Sequence, residues 1–84
     1  MWDDKKARRL GETLRAYRHA SGLSQESLAH EAGITKNQLQ LLEAGRSSGR
    51  KDTTGPSNPR MTTLDGLAGV FGVTVAELLS DANL

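Results

Sequence analysis

The sequence predicts an all-α fold of five short helices. Apolar residues recur at steps of three and four in five segments, capping residues precede these segments, and glycines follow most of them. No segment shows the strict alternation of apolar and polar residues that indicates a strand. The chain has 84 residues, so we expect residues 1–84 to form a single domain with a small core.

Apolar spacing and capping residues predict the first three helices over residues 5–20, 25–32 and 36–44. The residues expected to cap their N-terminal ends are Asp3 or Asp4, Ser24, and Thr35 with Gln38 in a capping box. The glycines expected to end them are Gly22, Gly33 and Gly45. The connection between the second and third helices is therefore very short.

Two further helices are predicted after residue 60. Thr62 is the expected cap of the fourth helix. Its apolar positions are Leu64, Leu67, Ala68 and Phe71. Gly66 and Gly69 inside this helix either allow a close backbone contact or weaken the helix by about 1 kcal/mol each. Thr74 and Glu77 form a capping box for the fifth helix, and the last five residues are expected to fray.

Residues 46–60 are predicted to form a long, flexible and basic surface loop. The segment RSSGRKDTTGPSNPR is rich in Ser, Thr, Gly and Pro and contains no large apolar residue. It carries a net charge of +3, as do residues 1–22, whereas residues 61–84 contain no Lys or Arg and carry −3. This distribution is typical of a protein that turns a basic surface toward a polyanion, although a solvated charged surface gives the same pattern.

Composition argues against several classes of function. The chain has no cysteine for disulfides or thiolate metal sites, and no apolar run approaches the roughly 18 residues of a membrane span. Aromatic residues make up 4% of the chain, too few for a platform that stacks single-stranded bases. His19 and His30 are isolated, and no catalytic motif is present. We therefore expect a soluble cytoplasmic protein that is not an enzyme and has no metal, cofactor or small-molecule substrate.

The connection between the second and third helices carries the clearest functional signal. Gly33, Ile34 and Thr35 match in length the tight turn of a helix-turn-helix. Leu39 and Leu42 define the buried side of the third helix. The residues on the opposite side are Asn37, Gln40, Leu41 and Ala44, with Lys36 on the flank. Amide side chains can form paired hydrogen bonds with the edge of adenine, and lysine can donate to guanine or to a phosphate. Leucine can make apolar contact with a thymine methyl group. When the helix is considered alone, the alternative interpretation is that the same amides are ordinary solvated residues.

Three segments of the chain carry a resemblance to a known family. They are GLSQESLAHEAGITKNQLQLLEAGR around the turn, LGETLRAYRHA in the first helix, and MTTLDGLAGVFGVTVAELL in the last two. Together they resemble the Cro and phage-repressor family of helix-turn-helix transcriptional regulators, also called the Xre-type family. The resemblance implies a lambda-repressor-like five-helix domain, with its helix-turn-helix at residues 24–44, that binds double-stranded DNA in the major groove.

The resemblance also implies roles for single residues. The positions that read bases are occupied by Lys36, Asn37, Gln40 and Leu41. Leu41 either contacts a methyl group or does nothing, because many relatives have a polar residue there. Gln25 matches a position that contacts the DNA backbone, and Gln38 matches one that contacts either the backbone, through a phosphate, or a base. Arg18 and Glu43 match a structural ion pair that ties the first helix to the end of the third.

The predicted loop departs from the family, because relatives cross from the third to the fourth helix in a few residues and this chain inserts about ten more. The resemblance implies that this connection runs beside the DNA backbone. Its basic residues either contact phosphates or belong to a solubilising loop; they are Arg46, Arg50, Lys51 and Arg60. The same two alternatives hold for the basic residues of the first helix, Lys5, Lys6, Arg8 and Arg9.

A homodimer on a palindromic operator is expected, because one helix makes few base contacts and two half-sites about 34 Å apart double them. The candidate dimer contacts are Val75, Leu79 and Leu84, at the acidic end of the chain, unless they fill the chain's own core. The alternative function is a protein-interaction module, or an antitoxin-like partner protein, that keeps the fold with little or no DNA reading. A regulator of this kind is expected in the cytoplasm with the nucleoid.

Overall fold

Five helices make up the part of the chain that the computed structural model describes, residues 1–46 and 58–84. They are α1 (Asp4–Ala20), α2 (Gln25–Ala32), α3 (Lys36–Ala44), α4 (Met61–Phe71) and α5 (Val75–Asp81). The predicted all-α class and its five helices are confirmed, and the first three helices begin and end within one residue of expectation. Of the predicted loop, residues 47–57 lie outside the described part.

Side-chain caps hold the starts of four helices, as the sequence predicts. At α1 the Asp3 carboxylate accepts the Lys6 N–H at 2.9 Å, and this hydrogen bond lowers the pKa of Asp3. At α2 the hydroxyl oxygen of Ser24 accepts the Ser27 N–H at 3.0 Å. α3 and α5 begin with reciprocal capping boxes. Each cap satisfies backbone donors that have no partner within the helix.

The predicted start of α4 is wrong. α4 begins at Met61, and its cap is Arg60, which makes no side-chain capping bond. Arg60 has the extended backbone of a cap (φ −72°, ψ 153°), so the chain turns into the helix before it reaches Thr62. Thr62 therefore lies within the first turn.

The expectation that the last five residues fray is also wrong. α5 runs to Asp81, and Ala82 is 3% exposed. The N–H groups of the last three residues all bond to carbonyl groups in the last turns of α5. Burial of Ala82 and these backbone bonds hold the end of the chain against the fold.

Leucine builds most of the core. Its most deeply buried large side chains are Leu10, Leu14, Leu28, Leu39, Leu67 and Leu78, which come from all five helices. At its edge Tyr17 stacks on Phe71, with ring centroids 5.0 Å apart, and joins α1 to α4. Burial of each leucine contributes about 1.5–3 kcal/mol before the entropy of ordering is subtracted. The core thus fixes the positions of the helices relative to one another.

Gly11 and Gly66 let two pairs of helices approach closely. A Cβ at Gly11 would lie 2.5 Å from the Glu43 carbonyl oxygen, so α1 lies directly against the C-terminal end of α3. A Cβ at Gly66 would lie 2.6 Å from the Ala32 carbonyl oxygen, at the end of α2, whereas one at Gly69 would meet nothing within 4 Å. Of the two alternatives for the interior glycines of α4, close contact therefore holds for Gly66 alone.

The described helices were also compared with the requirements of a membrane span. No single helix in residues 1–46 and 58–84 is long and apolar enough to cross a membrane. α4 and α5 meet the length and composition only together, as a pair bent by 87°. In this structure Leu64 and Leu67 of α4 and Leu78 of α5 lie in the core.

Candidate nucleic-acid interface

A tight turn fixes the orientation of α3 relative to α2. Gly33 ends α2 with a φ of 76°, in the left-handed region that side chains disfavour. Ile34 then donates its N–H to the Ala29 carbonyl at 2.9 Å and packs against the core. Thr35 and Gln38 close the capping box that starts α3. The three residues of the turn are thus held by a backbone bond, a core contact and a cap.

α3 separates the residues that anchor it from those that face outward. Leu39 is fully buried, and Glu43 is 3% exposed. The exposed residues of the helix are Lys36, Asn37, Gln38, Gln40 and Ala44. Asn37 and Gln40 are three residues apart and therefore share one side of the helix. Leu41 is half-buried, so only part of its side chain reaches the surface.

Glu43 anchors the C-terminal end of α3 to α1. Its side chain is 1% exposed, and its carboxylate accepts from Nε of Arg18 at 2.7 Å and from Nη2 at 3.1 Å. Arg15 donates to the backbone carbonyl of Glu43 at 3.4 Å. A buried carboxylate needs such partners, because an unpaired charge in the interior is strongly destabilising. Arg18 and Glu43 thus form an ion pair between α1 and α3, beside the close approach at Gly11.

Two glutamines extend this ion pair toward the surface. Gln25, half-buried at the first position of α2, donates from Nε2 to Oε1 of Glu43 at 3.0 Å. Gln40 donates from Nε2 to Oε1 of Gln25 at 3.5 Å. The four residues Arg18, Glu43, Gln25 and Gln40, hereafter the relay, form one connected set of hydrogen bonds. The family resemblance implied the pair of Arg18 and Glu43, but sequence reasoning missed the bonds of Gln25 and Gln40, which join residues 18 and 15 positions apart that no local spacing links.

Arg46 and Arg60 stand at the end of α3 and at the start of α4. Both are exposed, and both line one cavity together with Gln38 and Leu41. The fold therefore brings two cations beside an exposed residue of α3. The other two basic residues predicted to contact phosphates, Arg50 and Lys51, lie outside the described residues.

Two basic residues at the start of α1 have different neighbours. The backbone of Arg8 lies 3.1 Å from the position that a Cβ of Gly45 would occupy, so Arg8 borders the end of α3. Arg9 instead donates from Nη1 to the Asn83 carbonyl at 3.2 Å. Arg8 therefore lies beside the helix that carries the polar face, whereas Arg9 helps to hold the C-terminal residues.

α5 and the residues after it form an acidic end of the molecule. The Tyr17 hydroxyl donates to Oδ2 of Asp81, and this hydrogen bond raises the pKa of the tyrosine above its ordinary value. Val75 and Leu79 are half-buried against the core, whereas Leu84 is 38% exposed. Part of the apolar surface of the candidate dimer contacts is therefore used within the chain itself.

Known proteins share both the sequence pattern and the described geometry. The profile of a helix-turn-helix domain family matches residues 9–80. The transcriptional repressor RstR of the cryptic phage CTXphi, from Vibrio cholerae, is 33% identical over 70 residues, which are 83% of this chain and 54% of the repressor. The chain thus spans about half the length of that relative.

Two solved regulators have similar structures. The clp gene regulator ClgR from Corynebacterium glutamicum is 26% identical, with a TM-score of 0.73 over 93% of this chain and 72% of its own. SinR, a master regulator for biofilm formation solved in complex with DNA, is 28% identical, with a TM-score of 0.64 over 83% of this chain and 97% of its own.

These relatives are regulators rather than enzymes, in agreement with the non-enzymatic function that the sequence predicts. The family profile covers the turn, the polar side of α3, all of α2, α3 and α4, and most of α1 and α5. The chain therefore belongs to the helix-turn-helix domain family, among the Cro- and phage-repressor-like (Xre-type) regulators that its sequence resembles.

Proposed function

We propose that this chain binds double-stranded DNA sequence-specifically as a transcriptional regulator, with α3 in the major groove. The observation that carries the proposal is the exposed polar side of α3, on a helix held by the turn at one end and by Glu43 at the other. An α-helix fits the major groove, where each base pair presents a distinct hydrogen-bond pattern. SinR shares this fold and was solved with DNA, which supports a DNA ligand here.

Three outward residues have the chemistry of base reading. Asn37 and Gln40 each carry an amide that can donate to N7 and accept from N6 of adenine, whereas Lys36 can donate to guanine. The exposed part of the half-buried Leu41 suits contact with a thymine methyl group. Each paired contact favours the correct base by about 1–3 kcal/mol. These four residues are the proposed determinants of the half-site.

Gln38 suits the DNA backbone better than a base. Its Oε1 accepts the Thr35 N–H at 2.8 Å in the capping box, so its oxygen is already used. The amide hydrogens are donors, and a phosphate accepts them whatever the sequence. Two loop cations border the same cavity as Gln38. The loop residues proposed to bind phosphates are Arg46, Arg50, Lys51 and Arg60.

The proposed assembly is a homodimer on a palindromic operator. Two α3 helices about 34 Å apart, one turn of DNA, read two half-sites and so double the base contacts. Leu84 and the exposed parts of Val75 and Leu79 offer an apolar contact for the second copy. Exposed Glu77 and Asp81 would keep this end away from the phosphates. Such a regulator would reside in the cytoplasm with the nucleoid.

The test begins with selection of bound sequences from a random duplex library, which gives the half-site and its symmetry. Fluorescence anisotropy at several salt concentrations then compares the wild type with Asn37→Ala/Gln40→Ala. We expect the double variant to lose its sequence preference and to keep weak, salt-sensitive binding. Ser80→Ala, an exposed change on α5, is the matched control and should change neither affinity nor preference.

A wild-type protein that binds no duplex at any salt concentration would overturn the proposal. A protein-interaction module that keeps this fold would then be the better account. A selected site without two-fold symmetry would contradict the homodimer alone, because an isologous pair reads the same half-site twice.

A further inference from the structure

We propose that Glu43 orients the base-reading amide of Gln40 through Gln25, so that a buried carboxylate decides which edge of an exposed amide faces the DNA. The inference rests on the proposed DNA binding and deepens it. It assigns Glu43 and Gln25 to specificity as positioning residues, beyond the structural ion pair and the backbone contact that the family resemblance implies.

The buried carboxylate sets the direction of the Gln25 amide. A carboxylate only accepts hydrogen bonds, so the amide must turn Nε2 toward it, as it does at 3.0 Å. With the amide reversed, two oxygens would face each other beside a side chain that is 1% exposed, where little water is present to separate them. Arg18 donates to both carboxylate oxygens, at 2.7 and 3.1 Å, and so holds the carboxylate in place.

The outward oxygen of Gln25 in turn orients Gln40. It accepts from Nε2 of Gln40 at 3.5 Å and so uses one of the two amide hydrogens. The carbonyl oxygen and the second hydrogen of Gln40 are left for the DNA, on an exposed residue. This pair of one donor and one acceptor is the one that matches N7 and N6 of adenine. The relay therefore presents Gln40 ready to read adenine.

Gln25 keeps only its second amide hydrogen for a phosphate contact. Its oxygen and one amide hydrogen are both bound within the protein. An outward oxygen is repelled by a phosphate, which is itself an acceptor. Without Gln25, the Gln40 amide can rotate and offer its donor and acceptor in either order. Loss of Gln25 should therefore act on base preference more than on general affinity.

The test compares Gln25→Met and Gln25→Lys, in the full chain, on the selected duplex and its single-base variants. Methionine keeps the length of the side chain without its hydrogen bonds. Lysine can donate to Glu43 and suits a phosphate, but it offers Gln40 no acceptor. Both variants should lose about tenfold in preference for the selected base over the other bases. The loss should occur at the same base pair at which Gln40→Met loses its preference. Gln25→Met should also lower thermal stability, because Glu43 loses a donor, whereas Gln25→Lys keeps a donor; loss of base preference in both variants therefore separates positioning from structural support.

A double-mutant cycle separates the relay from a phosphate contact. Gln25→Met/Gln40→Met should discriminate no worse than either single variant, because both changes remove the same reading. Lys36→Met is the matched control, and its effect should add to that of Gln25→Met. Two results would overturn the inference in favour of a phosphate contact. One is that Gln25→Met weakens binding equally on every duplex. The other is that Gln25→Lys binds more tightly and keeps its base preference.

A measurement without DNA distinguishes failure of this inference from failure of the proposed function. In NMR spectra of the free protein, Gln25→Met should shift the side-chain amide resonances of Gln40 and leave those of Asn37 in place. Unchanged Gln40 resonances would overturn the relay even in a protein that binds its operator. Shifted resonances in a protein that binds no duplex would support the relay as a contact and overturn the proposed function.

Discussion

Two turns of the molecule share a local design and lead to helices of opposite character. The α2–α3 turn has Gly33 at φ 76° and a capping box at Thr35. The α4–α5 turn has Gly72 at φ 72° and a capping box at Thr74. In both turns the residue between glycine and threonine packs against the core. Both connections therefore start a second helix within three residues by the same local means.

The helices that follow these turns differ in exposed chemistry and in anchoring. α3 exposes a lysine and amides, and the buried pair of Arg18 and Glu43 holds its far end. α5 exposes acids, and its Asp81 bonds Tyr17 at the surface. The turn orients a helix, whereas the outward side chains and the anchor decide whether that helix can read DNA.

The largest expected effect comes from breaking the anchor that only α3 has. Glu43→Gln removes the carboxylate from Arg18, whose side chain is 12% exposed, so the free energy of unfolding should fall by about 3–5 kcal/mol. Asp81→Asn, the matched change on α5, alters a surface contact and should cost far less. Urea unfolding measures both variants. Equal losses would show that the two helices are anchored alike.

A smaller loss is expected from a methyl group between α1 and α3. Gly11→Ala places a Cβ 2.5 Å from the Glu43 carbonyl oxygen, so α3 must shift and the free energy of unfolding should fall by about 1–3 kcal/mol. Gly69→Ala meets nothing within 4 Å and should instead stabilise α4 by about 1 kcal/mol. Denaturant midpoints of the pair should move in opposite directions; movement in one direction would contradict the close approach.

The two capping boxes allow a direct comparison of the turns. Thr35→Ala and Thr74→Ala each remove a side-chain acceptor at a helix start, so each should lower the free energy of unfolding by about 1 kcal/mol. Only Thr35→Ala should also weaken preference for the selected duplex, because it loosens the end of α3 that carries Lys36 and Asn37. Anisotropy of both variants is the measurement, and equal effects on DNA binding would argue against α3 as the reading helix.

The smallest effect concerns the surface contact of α5. The hydrogen bond to Asp81 raises the pKa of Tyr17, so its stabilisation is complete below the ordinary tyrosine value of about 10 and is lost as pH rises through the higher folded value. Tyr17 is the single tyrosine of the chain, so phenolate absorbance reports its titration directly. Asp81→Asn should lower the titration midpoint; an unchanged midpoint would rule out Asp81 as the cause.

Local features of the fold could be predicted from the sequence because they depend on neighbouring residues. The capping boxes at Thr35 and Thr74 each need one partner three residues on, and the spacing of leucines identifies the buried side of each helix. Whether Gly66 allows a close contact or weakens α4 could not be predicted, because its contact with Ala32 depends on how α2 and α4 pack. The packed end of the chain was missed for the same reason, since the burial of Ala82 follows from the arrangement of other helices.

The candidate site likewise has features that the local sequence predicts and features that depend on contacts between helices. Exposure of Asn37 and Gln40 follows from the buried Leu39 on the same helix, so a single helical pattern was enough. The bonds of Gln25 join α2 to α3, and no periodicity reports which ends of its amide are already used. The backbone contact of Gln25 therefore rests on resemblance alone and stays a prediction, whereas its observed bonds support the proposed role in orienting Gln40.

The separation of anchoring and outward sides on α3 has a consequence for engineering new operator preferences. Lys36 and Asn37 have no role in the core, so exchanging them leaves Leu39 and its neighbours untouched. Gln40 differs, since its amide is coupled to a residue on another helix. A library built on this scaffold would vary positions 36 and 37 independently but would mutate positions 25 and 40 as a pair.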